Sequence, residues 1–382
     1  MNTLNRKNWK KFVVANLVDE ASERVDDPSN SKLQRFVGLD EFESGQLKIR
    51  KWASTENLVS AMKLFRSGDI LFARRNAYLR RASQVDFEGI CSGDAIVLRE
   101  KTKINNGFLT LILNTDKFWE YATANAAGTM SKRVKWRDLA KYEFLLPPTE
   151  ELKHITSLFQ SIETAIEQVE GQEKNLKTLQ KSLVSGLLSQ QPIFGNLLSK
   201  SNCKLTTLGD IAECDKKYPE HSNEISQYIG LENIESENFQ LQGFGDIANG
   251  TTFTKRFTKG DVLFGKRRAY LKKVAVADFD GICSGDILVI RAKDKKMIQE
   301  LLPFYISSDV FMQHAISTSA GSLSPRTKWK DLSELAVSIP DLKTQEKILV
   351  VLQQFETIIS QLKQQKTTLK NLKQKLLNEI LG

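Results

Sequence analysis

Cysteine and histidine are scarce in this chain of 382 residues, which has four of the first and three of the second. No Cys-x-x-Cys pair occurs, and His154, His221 and His314 lie far apart in the sequence. Zinc sites are usually marked by closely spaced cysteine and histidine ligands. The sequence therefore lacks a zinc motif, and we expect no metal site.

Long apolar runs are also missing. No apolar stretch reaches the roughly 18 residues that a transmembrane helix requires, so we expect none. The first residues, MNTLNRKNWKKF, are basic but lack the apolar segment of a secretory signal. We therefore expect a cytoplasmic protein, in which disulfides between its cysteines are not expected.

Signatures of several enzyme classes are absent. The chain has no GxxxxGK[ST] phosphate loop, no GxSxG elbow and no HExxH pair. It also lacks the Asn/Asp-Pro-Pro-Tyr motif of amino methylation, because its only Pro-Pro pair lies in LLPPTE. The sequence therefore shows no signature of these enzyme classes, and we expect no cofactor.

Acidic residues are outnumbered by basic ones. The chain has 55 Lys and Arg against 46 Asp and Glu, which gives a net charge of +9 and a pI of about 9.2. This excess favours a polyanionic partner such as nucleic acid. The hydrophobic fraction of 41% is typical of a globular protein, and the length allows two to three domains.

The most informative feature that is present is an internal repeat. Residues 68–99 match residues 260–291 without a gap, and 18 of the 32 positions are identical. Further identical pairs extend the repeat in both directions: Gly38/Gly230, Gly128/Gly321, Trp136/Trp329 and Pro147/Pro340. A period of 192 residues is far longer than that of a solenoid. The repeat therefore predicts two copies of a whole domain.

The repeat also predicts the order of the segments. Short apolar strands alternate with polar turns in each copy, so we expect two similar α/β domains with small twisted sheets and a few helices. Each copy is followed by a long helical segment. The predicted segments are domain 1 (1–147), long helix 1 (148–188), a linker (189–204), domain 2 (205–340) and long helix 2 (341–382).

The two long helices carry apolar residues at a spacing of seven over five heptads, which is typical of a coiled coil. Each would be about 58 Å long at 1.5 Å per residue. We predict that they form an antiparallel pair, which would relate the two halves by a pseudo-twofold axis. The predicted helix-pair interface consists of Ile155, Phe159, Ile162, Ile166, Val169, Leu176, Leu183, Ile348, Leu352, Phe355, Ile359, Leu362, Leu369 and Leu376.

Two other arrangements would also bury these apolar residues. Each helix could pack only on its own domain. Alternatively, the coiled coil could form between two chains. The sequence favours the intramolecular pair, because helices that pack on a single domain rarely keep a strict spacing of seven.

A basic strip follows a strand-like segment in each copy. Its candidate DNA-binding residues are Arg74, Arg75, Asn76, Tyr78, Arg80, Arg81, Lys266, Arg267, Arg268, Tyr270, Lys272 and Lys273. Such cations can neutralise phosphates, and arginine can also bind guanine edges. The alternative is a solvated loop of surplus charge.

The matched positions of the strip divide into two kinds. Arg75/Arg267 and Tyr78/Tyr270 are identical, so we expect them to hold the backbone or the fold. Asn76 and Arg268 differ, and such positions are where two domains could read different sequences.

A second basic segment follows a stretch of small residues in each copy. Its candidate DNA-binding residues are Lys132, Arg133, Arg326 and Lys328. Trp136 and Trp329, next to these cations, are predicted to be buried anchors. The Asp of each SGD motif is predicted to cap its own turn, and the Cys before each motif to be a small buried packing residue.

Taken together, these motifs resemble the DNA specificity subunit of type I restriction–modification enzymes. The residues that carry the resemblance are GDILF/GDVLF, FEGICSGD/FDGICSGD, KWRDL/KWKDL, and the prolines leading into each long helix. The resemblance covers nearly the whole chain and includes the order domain, helix, domain, helix.

The resemblance implies a non-catalytic subunit with two target recognition domains, each binding one half of a split, asymmetric DNA site. The helix pair would separate the domains and dock methyltransferase subunits, expected to be two, and a motor-nuclease subunit can join them. Two alternatives stay open: a structural adaptor that uses the coiled coil without DNA, and an internally duplicated DNA-modifying enzyme.

Overall fold

The computed structural model describes residues 6–101, 107–189, 203–215, 225–293 and 295–382. The predicted linker at 189–204 lies almost entirely outside these residues. The chain divides into two compact units, of which unit 1 comprises Met1–Gly171 with Lys363–Gly382 and unit 2 comprises Gln172–Leu362. Each unit therefore contains one predicted domain, the beginning of one long helix and the end of the other.

Unit 1 contains ten strands and the start of the first long helix among its described residues. Its strands are β1 (Lys10–Val13), β2 (Val18–Ala21), β3 (Arg24–Val25), β4 (Phe36–Val37), β5 (Met62–Phe65), β6 (Ile70–Ala73), β7 (Ala82–Gln84), β8 (Gly89–Cys91), β9 (Ala95–Glu100) and β10 (Glu143–Leu146). Its helices are α1 (Val14–Leu17), α2 (Phe108–Ile112), α3 (Asp116–Ala124), α4 (Trp136–Leu139) and the first part of α5 (Thr149–Ser189).

Unit 2 repeats this order of elements. Its strands are β11 (Cys203–Thr207), β12 (Ala212–Cys214), β13 (Gln227–Ile229), β14 (Gly245–Asp246), β15 (Lys255–Phe257), β16 (Val262–Gly265), β17 (Val274–Val276), β18 (Gly281–Cys283), β19 (Ile287–Ala292) and β20 (Ala336–Pro340). Its helices are α6 (Leu208–Ile211), α7 (Leu302–Ser307), α8 (Asp309–Ser317), α9 (Trp329–Ser333) and the first part of α10 (Leu342–Leu381).

The described residues of each unit form two four-stranded sheets and a two-stranded ribbon. The first sheet is antiparallel, with strand order β2-β9-β6-β7 in unit 1 and β12-β19-β16-β17 in unit 2. The second sheet contains one parallel pair, β4 with β8 or β13 with β18. The ribbons are β1-β10 and β11-β20. Together with the helices, these sheets confirm the predicted α/β domains.

The central strands of the first sheet are buried on both faces. In β6, Ile70 and Phe72 face a core shared with the helices, whereas Leu71 and Ala73 face a second core beneath the other sheet. Strand β16 divides its residues in the same way. Because successive side chains of a strand point to opposite faces, a short continuous apolar run here serves two cores.

The second sheet is where the two units differ. The three strands β5-β8-β4 correspond to β15-β18-β13. In unit 1 the fourth strand, β3, pairs with β5, whereas in unit 2 the fourth strand, β14, pairs with β13 at the opposite edge. The shared sequence therefore specifies a three-stranded frame, and the dissimilar segments around it complete the sheet differently.

The long helices pair in an antiparallel manner within each unit, as predicted. In unit 1 the beginning of α5 shares a core with the end of α10, which contributes Leu377 and Ile380. In unit 2 the end of α5, with Leu183, shares a core with the beginning of α10, with Ile348 and Leu352. Both cores also include residues of the strands and short helices, so the long helices pack on the sheet-containing domains as well as on each other.

All fourteen predicted interface residues are buried or half-buried. Ten are buried, and the four half-buried ones are Leu176, Phe355, Leu369 and Leu376. The heptad spacing did not reveal the polar members of the interface. Lys373 and Glu163 are both buried there, and their side chains form an ion pair at 2.6 Å.

Candidate nucleic-acid interface

Each basic strip forms a tight loop at the end of the central strand of the first sheet. We call residues 74–81 and 266–273 the strip loops. A single 3₁₀ turn, Ala77–Leu79 in unit 1, lies between two residues with left-handed backbone, Asn76 (φ 56°) and Arg80 (φ 52°). In unit 2, Arg268 (φ 54°) and Lys272 (φ 49°) occupy the same positions. The unusual backbone is thus identical, although the side chains differ.

The 3₁₀ turn points one tyrosine of each unit into solvent. The buried Ala77 and Ala269 anchor the turn, while Tyr78 is 66% exposed and Tyr270 is 53% exposed. These tyrosines do not pack into the fold, so that part of the prediction is wrong, and their expected contact with DNA stays a prediction. A side chain that is repeated and exposed is better suited to a contact that both units make with a partner.

A second loop lies beside each strip loop, and we call residues 127–133 and 320–326 the tip loops. Each is closed by a bridge between its ends, Ala127 with Arg133 or Ala320 with Arg326. A glycine with positive φ begins each turn, at Gly128 in unit 1. The closed loops place their middle residues, Met130 and Leu323, at the outermost point.

Backbone hydrogen bonds join each tip loop to its strip loop. In unit 1 the Asn76 amide donates to the Lys132 carbonyl at 3.0 Å, and the Val134 amide donates to the Arg74 carbonyl at 2.9 Å. In unit 2 the Arg268 amide donates to the Pro325 carbonyl at 2.7 Å. The two loops of a unit therefore form one continuous surface with a fixed register.

One carboxylate joins the side chains of the two loops. In unit 1, Arg133 Nε donates to Asp94 at 2.7 Å, and the Arg75 guanidinium lies 3.9 Å from the same carboxylate. Arg75 Nε also donates to Ser131 Oγ at 2.6 Å. We call this arrangement the loop joint.

Unit 2 has the same loop joint. Arg326 Nε donates to Asp286 at 2.7 Å, and the Arg267 guanidinium lies 3.6 Å from that carboxylate and 3.0 Å from Ser324 Oγ. The hydrogen bond from its arginine holds the pKa of each aspartate below its usual value. Both joints are therefore ionised at neutral pH.

The predicted role of the SGD aspartates needs correction. We expected each carboxylate to cap its own turn, but Ser92 Oγ does this by accepting from the Asp94 amide at 3.2 Å, and Ser284 does the same for Asp286. The carboxylates are free to bind the arginines. The repetition of SGD in both halves was the sequence signal for this role, but the partners lie about 40 residues further along the chain.

Two predicted strip residues point inward. The Arg81 guanidinium donates to the Leu39 carbonyl at 2.9 Å, and burial lowers its pKa. Lys273 donates to the matching Leu231 carbonyl at 2.7 Å. These cations hold the second sheet against the loop, so we remove both from the candidate interface.

The second left-handed position is occupied by a paired cation in both units. Arg80 forms an ion pair with Asp116, the first residue of α3, and Lys272 pairs with Asp309, the first residue of α8, at 2.9 Å. These cations stay partly exposed while the helix start fixes them. Their charge is thus shared with a carboxylate at the start of the neighbouring helix.

The remaining cations differ in exposure. Lys132, Arg268 and Lys328 are exposed, whereas Arg74 and Lys266 are half-buried where strand meets loop. Trp136 and Trp329 are half-buried and pack against the cores of their units, in agreement with the predicted anchors. The two loops of each unit thus present cations around an exposed tyrosine.

A cluster of metal-binding side chains is not found in the described part of the chain. The structure there brings together no group of three or more His, Cys, Asp or Glu side chains that could hold a metal. Cys91 and Cys283 are buried free thiols, as predicted, and burial raises the pKa of each to about 12. A helix long and apolar enough to span a bilayer is not found among the described residues.

Comparison with known proteins agrees with this architecture. The family described as type I restriction modification DNA specificity domain matches residues 200–371, which include the sheet-containing domain of unit 2 and most of α10. Unit 1 repeats the motifs and the fold of that matched segment. The segment 200–371 is therefore similar to the type I restriction–modification specificity family.

One curated relative is the type I restriction enzyme EcoDI specificity subunit of Escherichia coli. It is 30% identical over 176 residues, and the match covers 44% of this chain and 38% of that subunit. The match therefore spans less than half of either protein's length.

Two solved structures share the fold over nearly the whole chain. One comes from a study of complex assembly and conformational transition of the type I R-M system, with a TM-score of 0.55, 19% identity and 97% of both chains covered. The other is the type I restriction–modification S subunit from M. genitalium, with a TM-score of 0.56, 14% identity and coverage of 100% of this chain and 98% of that one. At these identities the likeness shows the fold alone.

Proposed function

We propose that this chain is a type I restriction–modification specificity subunit, that it recognises double-stranded DNA and that each unit binds one half of a split, asymmetric site. The observation that carries the proposal is the loop joint, which occurs in both units with matching residues and nearly equal distances. A surplus of solvated charge would not require the same ion pair, the same backbone conformation and the same exposed tyrosine in both units.

Different groups of the surface are suited to different parts of DNA. Lys132 and Lys328 are exposed point charges suited to phosphates, which position a protein without reading sequence. Tyr78 and Tyr270 are identical, so we assign them to phosphate or sugar contacts that both half-sites offer. Asn76 and Arg268 occupy one backbone position with different chemistry, and they are suited to adenine and guanine respectively.

The long helices are proposed to set the distance between the half-sites. Helix α5 has 41 residues and α10 has 40, and each contributes to both units without interruption. We propose that methyltransferase subunits, two in number, dock on this helix pair and perform the chemistry, with a motor-nuclease subunit as an additional partner. The chain itself is proposed to be non-catalytic and to need no cofactor.

Selection of bound sequences from a random double-stranded DNA pool tests this function. The chain is assembled with its methyltransferase subunits for the selection. The expected result is a bipartite motif with two unlike halves and a fixed spacing. A pool that stays random would favour an adaptor without DNA binding, and turnover of DNA by the purified chain alone would favour a duplicated enzyme.

Two further measurements refine the proposal. Affinity should fall steeply with salt, because several phosphates are neutralised on binding. Insertion of one heptad into both α5 and α10 should change the selected spacing. Recovery of the original spacing would contradict the helix pair as the ruler.

A further inference from the structure

The outermost residue of each tip loop is a large apolar side chain in solvent. Met130 is 100% exposed and Leu323 is 90% exposed. A single exposed apolar residue on a protein surface needs no explanation. Here two occur at matched positions of separate units, and each stands between small polar residues, Thr129 and Ser131 in unit 1.

These side chains contribute nothing to the folding of their units. Their exposure means that they bury almost no apolar area, and the loop joint holds the tip loops through Ser131, Arg133 and their matches in unit 2 instead. The joint therefore fixes the position of an apolar group that has no role in the free protein. Such an arrangement is pre-organised for contact with a partner.

The surroundings indicate what kind of partner the tips contact. Lys132 lies two residues from Met130, and the exposed Arg268 donates its amide to the Pro325 carbonyl, two residues from Leu323. An apolar protein surface would be poorly matched to these exposed cations. DNA offers phosphates to the cations and, in its major groove, one apolar group on a base edge, the 5-methyl group of thymine.

We infer that Met130 and Leu323 are specificity-determining residues, each contacting a thymine methyl group in the half-site of its own unit. This inference rests on the proposed DNA-binding function. It assigns to each unit one residue that contacts an apolar group on a base. Because methionine is unbranched and leucine is branched, the two tips would fit different neighbouring bases. They would thus contribute to the asymmetry of the site.

The experiment begins with the motif that the wild-type complex selects. Each thymine of the motif is replaced singly by deoxyuridine, which lacks only the methyl group, and affinity is measured for the wild type, Met130→Ala and Leu323→Ala. In the wild type, one deoxyuridine in each half-site should weaken binding about fourfold, which corresponds to one buried methyl group. Each alanine variant should lose this sensitivity in one half-site only.

Matched control variants distinguish a loss of loop structure from a loss of contact with the thymine methyl group. Thr129→Ala changes the neighbouring side chain of the same loop and should leave the deoxyuridine response intact. Met130→Leu keeps an apolar tip and should retain a response in the first half-site. Hydrogen exchange of each variant checks that the tip loop keeps its protection.

The outcomes distinguish this inference from the proposed function. If the wild type selects a bipartite motif but no deoxyuridine weakens binding, the assignment of the tips is overturned. A fluorescence rise from 2-aminopurine at a base step, lost in Met130→Ala without any deoxyuridine effect, would instead identify the tip as a wedge between bases and also overturn it. If the wild type selects no motif, the proposed function itself fails.

Discussion

The two units build the same loops and present different side chains on them. Both have a loop joint between a carboxylate and two arginines, and both have left-handed backbone at the same two strip positions. At the outer surface, however, the matched residues differ: Asn76 corresponds to Arg268, Met130 to Leu323, and Lys132 to Pro325. The comparison teaches that the joint preserves the geometry while the outer positions are free to vary.

The helix pair also differs between the units. Here the difference lies among buried and half-buried residues rather than at the outer surface. In unit 1, Lys373 and Glu163 form a buried ion pair, and Arg50 also contacts Glu163 at 3.2 Å and Glu167 at 2.8 Å. In unit 2 the position matching Lys373 is Gln180, whose amide donates to Glu356 at 2.5 Å. Unit 1 is thus held to its helices by charges that unit 2 lacks at this position.

The largest expected effect tests the difference between the buried and half-buried residues of the helix pair in the two units. Lys373→Met leaves Glu163 buried beside fewer cations, and breaking a buried ion pair costs about 3 kcal/mol. Hydrogen exchange in unit 1 near the helix pair should therefore accelerate about 100-fold. The matched variant Gln180→Met loses one hydrogen bond to a carboxylate, which should accelerate exchange in unit 2 only about tenfold. Equal acceleration in the two variants would show that the buried charges make no difference.

The next effect tests whether the loop joint of each unit contributes equally to the affinity for its half-site. Asp94→Asn keeps the size of the side chain but removes the charge that binds Arg133. Affinity for the half-site of unit 1 should fall about tenfold, because loss of the charge-assisted bond loosens the loop pair. Asp286→Asn should have the same effect on the other half-site, as measured with DNA in which one half-site is scrambled. A loss at both half-sites from either variant would contradict independent units.

A smaller effect sharpens the difference between the strip loops. Arg268→Asn should reduce affinity about fivefold and relax base preference at one position of one half-site. The slope of log affinity against log salt should decrease by about 1 if the arginine also meets a phosphate. Asparagine tolerates left-handed backbone better than arginine does, so the fold should not suffer. An unchanged base preference would show that Arg268 does not contact a base.

The smallest effect concerns pH. Arg133 and Arg326 lower the pKa of Asp94 and Asp286 below the usual value of 3.8. The stabilisation from these carboxylates is therefore fully present above pH 3.8 and is lost only as the pH falls through the lower folded-state pKa. Protection of the tip loops, measured by hydrogen exchange, should not change between pH 5 and 8. A decrease within that range would mean that another group controls the loops.

Much of the fold follows from local patterns in the sequence. The spacing of seven from Ile155 and from Ile348 predicts the helices and their buried faces, because helical periodicity is a property of neighbouring residues. The repeat predicts two similar domains. The different edges at which β3 and β14 join their sheets could not be predicted, because they depend on segments that the two halves do not share.

The candidate site could be predicted only in part. The basic residues of the strip are visible in the sequence, but their directions are not. Arg81 binds the Leu39 carbonyl and Tyr78 is exposed, and neither fact follows from residue type. The joint between Asp94 and Arg133 links residues far apart in sequence, so only the folded sheet reveals it.

The central claim is that the paired loops determine which half-site each unit reads. Its most direct test is a chain in which residues 266–273 and 320–326 of unit 2 replace residues 74–81 and 127–133 of unit 1, assembled with methyltransferase subunits and used for selection from random DNA. Two half-sites of the same sequence, at the wild-type spacing, are the predicted result. Recovery of the wild-type asymmetric motif would contradict the claim.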